Sequence, residues 1–75
     1  MSVRHQALTR FGRNVRRQRE AVGLSQEALA EKADLDRTYV SGIERGIRNP
    51  TVLSAARVAA ALRIPLAELF NGVAK

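Results

Sequence analysis

The side chains best suited to chemistry in this chain of 75 residues stand together between Arg37 and Ser41. The planar fork of Arg37 can donate two hydrogen bonds to guanine O6 and N7. Thr38 can set its methyl against a thymine methyl, or its hydroxyl against a base or a phosphate. The hydroxyls of Tyr39 and Ser41 suit phosphates, contacts that fix docking without reading sequence. Gly42 follows; a glycine inside a helix costs about 1 kcal/mol relative to alanine, so it is either a point of close approach to a groove floor or a tolerated weak spot. Together these residues suit direct contact with the base edges of double-stranded DNA.

Composition points the same way. Thirteen basic residues against seven acidic ones give a formal charge of +6 and a pI near 11.4. Such a balance favours a polyanionic partner, nucleic acid first and an anionic membrane surface second. Catalysis finds no support: Ser25, His5 and Asp36 are common residues with no spacing signature, and there is no Gly-rich phosphate loop or metal-ligand cluster. No cofactor or metal is expected, and His5, the only histidine, reads as a solvated terminal residue. The absence of cysteine excludes disulfides and fits a reducing compartment. No apolar run approaches the roughly 20 residues that span a bilayer. The N-terminus lacks the apolar core of a secretion signal, so cytoplasmic, nucleoid-associated residence is the expectation.

Two short helices joined by a tight turn, residues 26–45, must position the reactive set. Leu29 and Ala33 lie four apart, Val40 and Ile43 three apart, so each pair shares a helical face, with Leu35 between them. Ser25 and Asp36 are suited to cap the two helices, and Asp34 tolerates the left-handed backbone a short turn demands. The remaining chain supplies support. Residues 1–6 show no periodicity and read as a flexible basic arm. A first helix from Gln6 or Ala7 to Ala21 or Val22 carries the stripe Leu8, Phe11, Val15 and Val22, with Gly23 as its stop. Its other face holds Arg10, Arg13, Arg16 and Arg17, a phosphate-facing edge or an ordinary solvated face. Arg19 shares the inward face and needs a partner there, because desolvating a lone charge costs several kcal/mol. Thr51 caps a helix to about Leu62 with the buried stripe Val52, Ala55, Val58, Ala59 and Leu62, which leaves Leu53 off the stripe. Pro65 opens a last short helix to about Phe70.

The run GLSQEALAEKADLDRTYVSGIERGIRNPT resembles the lambda repressor and Cro type of helix-turn-helix, the xenobiotic-response-element family, from about Phe11 to Phe70. LDRTYVSGIERGIRNPT is similar in particular to small single-domain regulators, including restriction-modification controller proteins. Gln26, Ala30, the buried positions, Glu44, Gly46 and Pro50 carry the resemblance. It departs at Asp34 and Arg63, where the family usually has Gly. The resemblance implies an all-α, compact five-helix domain with the helix-turn-helix at its centre. It also implies an ion pair between Arg19 and Glu44, a brace from Gln26 against the DNA backbone or a base, and phosphate contacts from Arg45, Arg48 and Asn49, with Arg48 free to enter a groove. The N-terminus of the helix from Gln26 to Ala33 suits a phosphate, and Arg17 joins the backbone contacts.

A chain this short buries only about 60% of its unfolded surface and is marginal unless it associates. Leu66, Leu69 and Phe70 exceed what five helices can bury, so a second copy is expected to cover them, with Leu53 and Val73 contributing. The expected function is a homodimeric transcriptional regulator that reads an inverted repeat in double-stranded DNA, with RNA polymerase as a further candidate partner. The alternative is an antitoxin or interaction adaptor on the same fold. A membrane role is not expected, since the first helix needs its apolar face for the core.

Overall fold

Capping residues set most of the helix boundaries in the computed structural model, which describes residues 2–74. Five helices run α1 Val3–Ala21, α2 Gln26–Ala33, α3 Arg37–Glu44, α4 Val52–Leu62 and α5 Leu66–Leu69. The hydroxyls of Ser25 and Thr51 accept from the amides of Ala28 and Ser54, and Asp36 accepts from that of Thr38. Each satisfies a first-turn N–H that the helix itself leaves free. Asp34 and Arg63 close α2 and α4 at φ 57° and 58°, the left-handed backbone usually given to glycine. α5 has no side-chain cap; Pro65 precedes it with extended backbone.

Phe11 and Val15 of α1, Leu29, Ala30 and Ala33 of α2, Val40 and Ile43 of α3, Ala55, Val58, Ala59 and Leu62 of α4, and Leu69 of α5 form one core. α1 lies on α3, α2 lies on both α3 and α4, and α5 closes the bundle against α4 and α1. No helix among the described residues is long and apolar enough to cross a membrane.

Within the fold, two expectations are corrected and two contacts appear that the sequence reading did not include. Residues 3–6 belong to α1, not to an arm: Ser2 caps the helix by accepting from the amide of His5, a local signal that apolar periodicity does not carry. Val22 and Val52 leave the buried stripes, 52% and 77% exposed, because one lies past the last turn of α1 and the other opens α4 ahead of the core. Asn14, unremarked in the sequence, is buried, and its Nδ2 donates to the carbonyls of Leu69 and Asn71 at 2.9 Å each. These bonds tie the C-terminal turn to the middle of α1. Finally, Gly12 lets α1 and α3 meet: a methyl there would overlap the carbonyl oxygens of Ile43 and Glu44. Backbone carbonyls cannot swing aside as side chains do, so the crossing demands glycine.

Candidate nucleic-acid interface

α3 is divided lengthwise. Val40 and Ile43 are fully buried, while Arg37, Thr38 and Arg45 are exposed and Ser41 is half-buried. Thr38, Ser41 and Arg45 are spaced three and four apart, so they line one outward stripe. Arg37 flanks that stripe at the open N-terminal end. It faces Ser25, Gln26 and Glu27, at the start of α2, across a shallow concavity. That concavity brings the positive end of α2 beside the positive side chain of Arg37, a setting for a phosphate.

The opposite end of α3 is clamped. Arg19 grips Glu44 with two parallel bonds, Nε to Oε2 at 2.7 Å and an Nη to Oε1 at 3.0 Å. Its remaining Nη donates to the Leu24 carbonyl at 2.8 Å. The side chains are 12% and 2% exposed, so the pair is largely withdrawn from water. The Glu44 hydrogen bond raises the Arg19 guanidinium above its ordinary pKa, against the pull of burial. Gln26 completes the cluster, donating through Nε2 to Glu44 Oε1 at 3.0 Å. α1, α2 and α3 are thus fastened at one point, as Arg19 and Glu44 were expected to do and with Gln26 as a third member.

Two expectations need correction. Gly42 does not approach a groove floor; it is buried under the chain's own loop, where an added methyl would strike Arg48 Cγ. Arg48, in turn, is not a free reacher. Its stem lies on Gly42, its guanidinium stands 5.9 Å from the Tyr39 ring centre, and its amide donates to the Gly42 carbonyl at 3.2 Å. This contact between cation and ring holds the charge along the edge of α3. Tyr39 itself packs against the core. Arg45 and Asn49 remain exposed on either side of Arg48.

Arg17 is not brought to this surface. On α1 it stands roughly 140–160° around the helix from Gly12 and Arg19, which face α3. It lines a cleft with Arg10, Arg13 and the Asn71–Gly72 turn instead.

The residues expected to pair two copies divide as well. Leu69 is fully buried in its own chain, and Leu66 and Val73 pack against the same core, because the Asn14 bonds draw the C-terminal turn inward. Phe70 and Leu53 stay 46% and 61% exposed and are joined by Val52. Phe70 tilts against Phe11 at 5.0 Å between ring centres. Beside it lies an apolar cleft of about 230 Å³, walled by Leu8, Phe11, Pro50, Val52 and Val73.

A clamped helix that offers its other end to solvent, packed against a helix of equal length across a tight turn, defines a helix-turn-helix protein. The helix-turn-helix family model matches residues 15–69, and the chain belongs to that family. Control protein C.MunI from a Mycoplasma species is 45% identical over 67 residues, covering 88% of this chain and 90% of the relative. Control protein C.BamHI from Bacillus amyloliquefaciens is 40% identical over 62 residues, with 81% and 76% covered. Among solved structures, the restriction-modification controller protein C.AhdI from Aeromonas hydrophila is 49% identical, with a TM-score of 0.83 over 84% of this chain and 96% of that one. The controller C.Esp1396I, as a tetramer on its natural 35 base-pair operator, is 36% identical, with a TM-score of 0.80 over 89% and 88%.

Proposed function

We propose that this protein is a transcriptional regulator of the restriction-modification controller kind, a homodimer that binds an inverted repeat in double-stranded DNA. The observation that carries the proposal is the asymmetry of α3, with Arg37 and Thr38 exposed at one end and Glu44 locked into the body at the other. Arg37 and Thr38 read base edges in the major groove. Ser41, Arg45, Arg48 and Asn49 hold the phosphates beside them, with Tyr39 setting the position of Arg48 and Gln26 that of the α2 N-terminus. The relatives named as control proteins, and the solved complex of one with its operator, support this role.

Val52 and Phe70, which line the apolar cleft, together with exposed Leu53, are the surface that a second copy covers. Pairing there would present two α3 helices to major grooves about 34 Å apart, one helical turn of the duplex. Titrating the protein into labelled duplex at two salt concentrations tests the reading. Binding that weakens steeply with added salt supports phosphate contact, since each neutralised phosphate releases a counterion. Absence of binding at low salt would instead leave an interaction adaptor on the same fold.

A further inference from the structure

Three arginines of α1 have no place in that interface. Gly12 and Arg19 mark the flank of α1 that meets α3, and Asn14 marks the flank that holds the C-terminal turn. Arg10, Arg13 and Arg17 stand roughly 100–180° around the helix from Gly12 and Arg19. They line a polar cleft of about 250 Å³ with Asn14, Asn71 and Gly72. Among the described residues the ion pairs are Arg16 with Glu20 and Arg19 with Glu44. Among the described residues no carboxylate pairs with Arg10, Arg13 or Arg17, and Arg10 makes a long 3.5 Å contact to the Val73 carbonyl. Asn14, 7% exposed and doubly bonded to Leu69 and Asn71, fixes one wall of the cleft against the helix.

We propose that Arg10, Arg13 and Arg17, with the Asn71–Gly72 turn, dock an acidic peptide segment of a protein partner while α3 is engaged with DNA. The inference rests on the DNA-binding reading above. Guanidinium forks match carboxylates bidentately, and unpaired like charges held along one helix face repel until an anion joins them. DNA phosphate is the competing anion, but the row stands well around α1 from the flank that packs on α3. The free row therefore suits a second partner that binds together with the duplex.

The test uses fluorescein-labelled octaglutamate, with octaglutamine as the neutral control. The probe is titrated into the protein alone and into the protein saturated with unlabelled duplex. The expected result is binding of octaglutamate in both states, at least fivefold weaker for the double variant Arg13→Gln/Arg17→Gln. The same double variant should bind duplex within twofold of the parent and melt alike. Arg57→Gln/Arg63→Gln, which removes the same charge elsewhere, should keep the peptide affinity. No peptide binding, equal losses in both double variants, or displacement of the peptide by duplex would overturn the proposal. So would a tenfold loss of duplex affinity in Arg13→Gln/Arg17→Gln, which would make the row a DNA contact. Failure of the parent to bind duplex at all would instead strike the reading beneath it, whatever the peptide does.

Discussion

The two ends of α3 use arginine in opposite ways. Arg19 meets the C-terminal end with two bonds to Glu44, which also accepts one from Gln26, and the ion pair is nearly dry. Arg37 stands at the N-terminal end, exposed and without an intramolecular ion pair among the described residues. A helix of eight residues is too short to be stable alone, so its position must come from the clamped end and from Val40 and Ile43 in the core. The comparison teaches that the open end can be exposed because the other is fixed: rigidity and availability are separated along one short helix.

The comparison can be broken first at the clamp. Glu44→Ala leaves the Arg19 guanidinium buried without its carboxylate and should cost about 3–5 kcal/mol. At roughly 4–8 °C per kcal/mol for a domain this small, the melting temperature should fall by well over 10 °C. A melt matching the parent would show that the clamp carries no stability. Gly12→Ala, which forces α1 off the same end of α3, should destabilise by about 3 kcal/mol, because the atoms it meets are backbone.

At the open end, Arg37→Ala should leave the melt unchanged and cost about 1–3 kcal/mol in binding, with preference relaxed at one base pair. Binding profiles identical to the parent would remove Arg37 from the reading set. Arg48→Ala should weaken all duplexes alike and lower the salt slope by about 1. Gly42→Ala should reproduce that uniform loss by evicting Arg48 from its seat, while changing stability by no more than about 1 kcal/mol. Normal affinity in Gly42→Ala would show that the seat does not matter. The smallest effect is expected outside the comparison: Arg63→Gly, at φ 58°, should stabilise by about 1 kcal/mol by relieving left-handed strain, seen as a higher melting temperature.

Much of this arrangement was legible in the sequence. The pairs Leu29/Ala33 and Val40/Ile43 located the two central helices, Ser25 and Asp36 located their starts and Thr51 that of α4, and the inward place of Arg19 called for a partner, which the family resemblance gave as Glu44. What was not legible depends on contacts between elements remote in sequence. Nothing near Gly12 says that a carbonyl will lie against it, and a glycine inside α3 looks like weakness until the loop folds Arg48 over it. Asn14 resembles any surface polar residue until the C-terminal carbonyls arrive. Its bonds explain why Leu69 turned inward and why the exposed apolar surface moved toward Val52, Leu53 and Phe70. Ser2 is the exception, a short-range cap that a search for apolar periodicity passes over.

The central claim is that the exposed end of α3 reads DNA in pairs. Selecting bound duplexes from a random library and sequencing them tests it most directly. The account predicts enrichment of an inverted repeat whose half-sites are centred about 10 base pairs apart, lost or blurred at one position of each half-site with Arg37→Ala. A library that emerges without enriched sequence, or an enriched motif unchanged by removing both Arg37 and Thr38 side chains, would contradict it.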